Sequence, residues 1–437
     1  MYRVGFARVD ITPTESVPLA GYGNTSQRMS DSVRDPLYSS CTALTDENGA
    51  TVLLFHNDLC TSSAPITEPV KAAVSEATGI GEDHICVCAT HTHSGPDVWN
   101  REFASIPNFL EALPKLLSQC ALEALADRKP AVAYSAKVHT DRLNFVRHYI
   151  LEDGHYKGAN FGDQYNSPIA CHTTQVDEEM RLVKFVREGG KDVILVNWQI
   201  HPNRVPVDGS ISADVVGEFR AAMESAVDCH FAFFNGGAGN IAPHSPIRSE
   251  NRAANPVEHG LLLRDHALTA RYEPLKLGPI HVVTKLYQEP LNRPDPSQLE
   301  AAEKIVEFWH NSTDRTVARN FAIEHGFSSQ YAAASAVQRS KEKSDIVSIA
   351  MTAVTMGEFA FITVPHEMFD TNAKYVRDFS PCEITFISSL SNGALPYIPS
   401  AYAYIHDCYE AATSKCKPGA GERIANVLLQ MLNQAQQ

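Results

Sequence analysis

Ile85-Cys86-Val87-Cys88-Ala89-Thr90-His91-Thr92-His93-Ser94-Gly95-Pro96 runs from an apolar alternation into two imidazoles and a turn. Ile85, Val87 and Ala89 alternate with Cys86, Cys88 and Thr90, which predicts a buried strand ending in a Ser-Gly-Pro turn. Side chains repeat every two residues along a strand, so His91 and His93 should leave it on one face. Two imidazoles at the end of a core strand invite a metal ion. In the plainer alternative one ring caps a loop and the other sits in the core on a backbone hydrogen bond, so His-x-His alone does not decide.

Outward from this turn the pattern recurs. Expected strands at 51–55, 193–198, 231–234, 359–364 and 384–388 run into Asp58, His201, Asn235, Glu367 and the loop Ser391–Tyr397. Ligands of α/β sheets bind outside the carboxyl ends of strands, so a shared site is the expectation. Histidines, a carboxylate and a tyrosine at such ends suit zinc, which takes nitrogen and oxygen donors and lowers the pKa of a water in its open position to about 7. A stability role for the same groups is the competing reading.

Helical periodicity falls at 66–77, 106–127, 214–226, 258–272, 296–309 and 421–432, with further strands at 131–139 and 280–286. Hairpins are expected around Asn48-Gly49, Gly189-Gly190 and Met356-Gly357. The fold class is α/β, a mixed central β-sheet flanked by helices in one domain over 1–437, with a peripheral helical insert at about 291–343. The loop Pro18-Leu19-Ala20-Gly21-Tyr22-Gly23 either lets backbone approach something closely or is an ordinary surface loop. The Gly-rich stretch from Asn235 to Asn240 is a nest of N–H groups or a tight turn. The long polar connection up to Ser167 is of a kind that is often functional.

The 437 residues are 44% hydrophobic, ample for a sizeable core. Lys+Arg 37 against Asp+Glu 51 give a formal charge of −14 with no long basic run, which argues against nucleic acid and against an anionic membrane surface as partners. No apolar stretch suits a signal peptide or reaches the roughly 18 residues of a membrane span. The ten scattered cysteines lack a Cys-x-x-Cys pair and read as buried reduced thiols, so a cytoplasmic protein is expected.

Together these motifs resemble the neutral/alkaline non-lysosomal ceramidase family. The resemblance runs through 5–13, 18–23, 89–96, 196–201, 239–243, 364–367 and 391–397, and Thr-His-Thr-His-Ser-Gly-Pro is its most specific run. It implies a zinc amidase that cleaves an N-acyl bond, with Zn2+ held by His91, His201, Glu367 and Tyr397. His93 would lie beside the scissile group and assist proton transfer, Tyr409 would be a further active-site tyrosine, and Arg147 or Asn144 would belong to a substrate-contacting segment. The family's Gly-Asp-x-Ser-Pro loop reads Gly239-Asn240-Ile241-Ala242-Pro243 here, without the hydroxyl. Either metal-activated water then attacks alone, with loop N–H groups or Asn240 stabilising the oxyanion, or the substrate differs. The family's C-terminal immunoglobulin-like domain is not expected in this chain. The expectation is a zinc-dependent amidohydrolase acting on a small soluble acyl-amide, without stable membrane association. The alternatives are a metal-dependent esterase or phosphoesterase, with two metals if Asp58 and His93 also coordinate, and a non-catalytic ligand-binding relative.

Overall fold

Alternating apolar segments pair into a central sheet in a computed structural model that describes residues 1–22, 28–158, 167–312, 314–406 and 408–436. Gly23 of the first loop and 159–166 of the long connection lie outside the described residues. The strands are β1 (Tyr2–Asp10), β2 (Tyr38–Thr45), β3 (Thr51–Asn57), β4 (Ile85–Ala89), β5 (Lys129–His139), β6 (Glu179–Arg187), β7 (Asp192–Trp198) and β8 (Cys229–Asn235). They lie in the order β8-β7-β6-β5-β1-β2-β3-β4, with Glu273–Pro274 added beside β5. The pairs β3/β4 and β7/β8 are parallel and the other pairs of this order antiparallel, so the sheet is mixed.

Its helices are α1 (Ala64–Thr78), α2 (Ser105–Ala126), α3 (Asp214–Ala226) and α4 (Pro256–Leu268). Apolar positions of α1 and α2, among them Val70, Val74, Leu113 and Leu117, pack on Leu53 and Phe55 of one sheet face. Phe219 and Leu263 of α3 and α4 do the same on Phe231 and Phe233. The opposite face buries Phe6, Leu54, Phe185 and Phe234 against a second sheet.

That second sheet consists of β9 (Ile280–Pro290), β10 (Ile346–Met356), β11 (Phe359–Thr363) and β13 (Ile384–Ser388), in the order β9-β10-β11-β13. Between β11 and β13 in sequence comes β12 (His366–Met368), which pairs in parallel with β14 (Leu395–Ile398). The insert forms α5 (Pro296–His310), α6 (Arg315–Glu324) and α7 (Gln330–Ser340), with its own small core around Ala302, Ile305 and Ala333. The closing helix α8 (Ala420–Ala435) covers the outer face of the second sheet with Ile424, Leu428 and Met431. The layers are helix, sheet, sheet, helix.

Followed along the ladder, β3 and β4 run opposite to β7 and β8. A flat sheet would therefore send His91 and His201 to opposite ends. Twist of about 20–25° per strand pair, summed over the seven pairs from β8 to β4, would amount to roughly 160° and would bring the two edges to face the same way. β8 then packs against β3 and β4, and the sheet curls towards closure.

Two buried asparagines lock this arrangement. Asn235 donates to Thr90 O at 3.2 Å and to Ile200 O at 2.8 Å, and accepts from Ile200 N at 3.1 Å. Asn197 donates to Phe234 O and to Ile387 O and accepts from Ile387 N, which ties the central sheet to the second. Replacing Asn235 by Ala would strand buried backbone groups on both sheet edges, at about 1–3 kcal/mol each. Asn235→Ala should lower stability by on the order of 3 kcal/mol, read as a reduced urea midpoint with an unchanged slope.

Candidate metal centre

β4 stops at Ala89, and His91 takes φ 75°, a left-handed conformation that costs a non-glycine residue about 1–2 kcal/mol. The two rings do converge, but a turn brings them together and not the two-residue repeat of a strand. His91 Nδ1 lies 2.8 Å from the Cys60 carbonyl, so its N–H donates there and the Nε2 lone pair faces inward. His93 packs against Gly21, where a Cβ would stand 2.3 Å from the ring, so the early glycine loop serves close approach. Arg28 holds this loop pair, donating to His93 O at 2.6 Å, Ala20 O at 3.0 Å and Ser94 Oγ at 2.9 Å.

His201 follows β7, and Glu367 sits in β12 beside β14, which carries Tyr397. The Gly-rich loop after β8 lies close under β12. A Cβ on Gly239 would stand 2.5 Å from the Glu367 carbonyl oxygen, and one on Gly237 would stand 2.5 Å from Ala373. Gly236 N–H donates to Trp198 O, Gly239 N–H to Met368 O and Ile241 N–H to Ala238 O, so these three amides are taken by backbone carbonyls and only the last closes a local turn.

His91 Nε2 stands 3.3 Å from His201 Nε2, 3.4 Å from His93 Nε2 and 3.4 Å from Glu367 Oε2. Donors bonded at about 2.0–2.1 Å to a tetrahedral ion lie about 3.3–3.4 Å apart, so these spacings suit one. The ligand atoms of His91, His201 and Glu367 all fall within 4.8 Å of one another, whereas His93 groups with Cys60 and His91. Glu367 Oε2 is buried and accepts no hydrogen bond, an arrangement that a cation would relieve. Burial opposes charge on His91, but the nearby Glu367 carboxylate and Cys60 together outweigh it and hold the imidazole well above its usual pKa. Burial, then the charges of Arg147 and His91, push His201 well below it. Burial followed by His91, Arg147 and Arg28 does the same to His93. Nitrogen donors around an acceptor-only carboxylate oxygen fit zinc chemistry.

His91, His93 and Glu367 form the floor of a cavity of about 650 Å³, which Tyr397, Tyr409 and Cys60 also line, with His201 directly behind it. Burial and then Glu367 raise the Tyr397 hydroxyl well above its ordinary pKa, and its oxygen lies 3.3 Å from Arg147 Nη2. The rings of Tyr397 and Tyr409 are 5.7 Å apart. The far wall comes from the insert: Val306 and His310 of α5, Tyr331 and Gln338 of α7, and Lys341. The insert is therefore not peripheral. Arg339 binds Ala412 O and Asn292 O and ties α7 to the short helix Tyr409–Thr413.

Several expectations change. Asn240, foreseen as an oxyanion donor, gives its amide to Asp370 Oδ1 at 2.7 Å, accepts from Asp370 N at 2.9 Å, and is not among the residues lining the cavity. Arg147 and Asn144 do not line it either. Arg147 lies behind Tyr397 and His201, and Asn144 binds the carbonyls of Asp177 and Gln199. Ala242 pairs with Phe145 in a two-residue ladder. Asp58, the second-metal candidate, is fully buried and taken by Arg220 at 3.1 and 2.8 Å and by Tyr38 N at 2.9 Å. Sequence reasoning passed over Arg28, which carries no motif, and Glu410, whose one signal is its place next to Tyr409.

Fold and site together define an α/β protein with a candidate His and carboxylate cation site at converging strand ends. The sequence profile described as neutral/alkaline non-lysosomal ceramidase, N-terminal, matches residues 2–238. The chain belongs to that family, and family and fold point to a hydrolase of amides. The crystal structure of neutral ceramidase from Pseudomonas aeruginosa superimposes with a TM-score of 0.72 at 14% identity, covering 99% of this chain and 74% of that one. A structure described as ceramidase complexed with C2 gives 0.72 at 15% identity with the same coverage. Likeness at such identity shows a shared fold. No curated protein matches the sequence. Glu367 and Tyr397 lie beyond the matched segment, so geometry alone ties them to His91 and His201.

His91→Ala and Glu367→Ala should each abolish stoichiometric zinc uptake in elemental analysis. Asn240→Ala should keep its zinc and lose stability instead.

Proposed function

We propose that the chain is a zinc-dependent amidohydrolase that cleaves the C–N bond of a small soluble acyl-amide. The observation that carries this reading is the buried Glu367 oxygen, which accepts no hydrogen bond and stands 3.4 Å from His91 Nε2 and 3.9 Å from His201 Nδ1 at an accessible cavity. His91, His201 and Glu367 would hold the ion, with Tyr397 as fourth ligand. Zinc bound there polarises a carbonyl and makes water nucleophilic near neutral pH.

His93 lines the cavity with its Nε2 3.4 Å from that of His91, which places it to accept a proton from the attacking water and to pass it to the departing amine. Tyr409 lines the same cavity, and burial keeps its hydroxyl protonated, so it serves as a hydrogen-bond donor to the developing oxyanion. This replaces the role foreseen for Asn240, and no hydroxyl at position 242 is required.

The insert wall brings His310, Gln338 and Lys341 to the cavity together with Val306, Ala334 and Val337, a mixed lining that accommodates an amide with both an apolar and a polar part. The ten cysteines are all unpaired thiols and no described helix is long and apolar enough to cross a membrane, which supports the reading of a reducing, cytoplasmic setting.

The test is a panel of short N-acyl amides, the corresponding esters and phosphoesters, and ceramide, assayed after chelation and after zinc is restored. Amide turnover lost and regained with zinc is expected, and His93→Ala should lower kcat by about 10²–10⁴-fold with zinc retained. A zinc-loaded chain that turns over esters or phosphoesters and no amide would refute the proposal.

A further inference from the structure

Behind Tyr397 and His201 a chain of buried polar groups leads away from the cavity. Arg147 Nη2 is 3.3 Å from the Tyr397 hydroxyl and donates to Gly239 O at 2.8 Å, while its Nη1 lies 3.3 Å from His201 Nδ1. Its Nε donates to Glu410 Oε1 at 2.8 Å. The other carboxylate oxygen is 2.9 Å from His148 Nε2, and the Tyr156 hydroxyl is 2.7 Å from His148 Nδ1. The Arg147 and Glu410 side chains are 6% and 0% exposed.

We propose that Glu410 is a positioning residue of the centre, one that neutralises Arg147 and fixes its guanidinium so that a divalent ion can bind on the far side of the His201 ring. The assignment rests on the metal reading of the site. A buried guanidinium against His201 opposes any cation held by that imidazole. Without Glu410, the single carboxylate of Glu367 would face both a divalent ion and Arg147. With it, the arginine carries its own counter-ion, and its remaining N–H groups orient Tyr397. Removing one member of such a buried pair leaves the other uncompensated. His148, Cys408 and Glu410 also lie close enough to suggest a second metal site, but both Glu410 oxygens are engaged by Arg147 and His148.

The test measures the zinc dissociation constant of the full chain by chelator competition, with circular dichroism as the check on folding. Glu410→Gln should weaken zinc binding about ten- to hundredfold, the range for residues that support ligands. In the double variant Arg147→Met/Glu410→Gln both charges are gone, and affinity should return to within about threefold of the parent. A folded Glu410→Gln with unchanged affinity overturns the assignment. An equal loss from Glu410→Gln in the Arg147→Met background also does so, because that is what a merely structural role produces. If Glu410→Gln fails to fold, Glu410→Asp decides. Zinc affinity kept with a reduced kcat supports the proposal, and affinity lost tenfold despite the kept charge refutes it. A parent that takes up no zinc removes the metal reading and this assignment together, whereas a zinc-binding parent with an indifferent Glu410→Gln removes this assignment alone.

Discussion

Asn235 joins the two edges of a curled sheet, and the centre depends on that join. Its amide spans Thr90 O and Ile200 O, the residues immediately before His91 and His201. One buried side chain thus sets the spacing of two candidate ligands that are 110 positions apart in sequence. Water cannot replace these hydrogen bonds, because Asn235 is 2% exposed.

Around that join the structure concentrates the candidate cation ligands. The inward-facing Nε2 atoms of His91 and His201, the Glu367 carboxylate and the balanced Arg147–Glu410 pair form one electrostatic unit. Arg28, gripping His93 O, and Asn240, gripping Asp370, keep the surrounding loops in register without reaching the cavity floor. Preorganisation of this kind lets a site receive an ion without rearranging.

The insert shows how covering a site differs from building it. Its three helices pack on one another through a small core, and a buried arginine, Arg339, fastens them to the segment bearing Tyr409 and Glu410. The cavity therefore has a floor from strand ends and a wall from helices, which permits substrate preference to vary without disturbing the floor.

The sequence by itself determined most elements. Ile384–Ser388 and Asp214–Ala226 fall where alternation and helical periodicity put them, because burial of one face leaves a local imprint. It also marked His91, His93, His201, Glu367 and Tyr397, since polar groups at the ends of apolar strands stand out against their surroundings, while Tyr409 came from the family resemblance alone. Only the tertiary structure decided that these ends meet. Strand order and direction in a flat sheet would have separated His91 from His201, and the packing of β8 against β3 and β4, a global property with no signature in any short window, brought them together. For the same reason Asn240 and Arg147 read as site residues but do not line the cavity, while Glu410 and the insert helices read as ordinary. What a side chain faces is settled by packing between distant segments, and no local pattern encodes it.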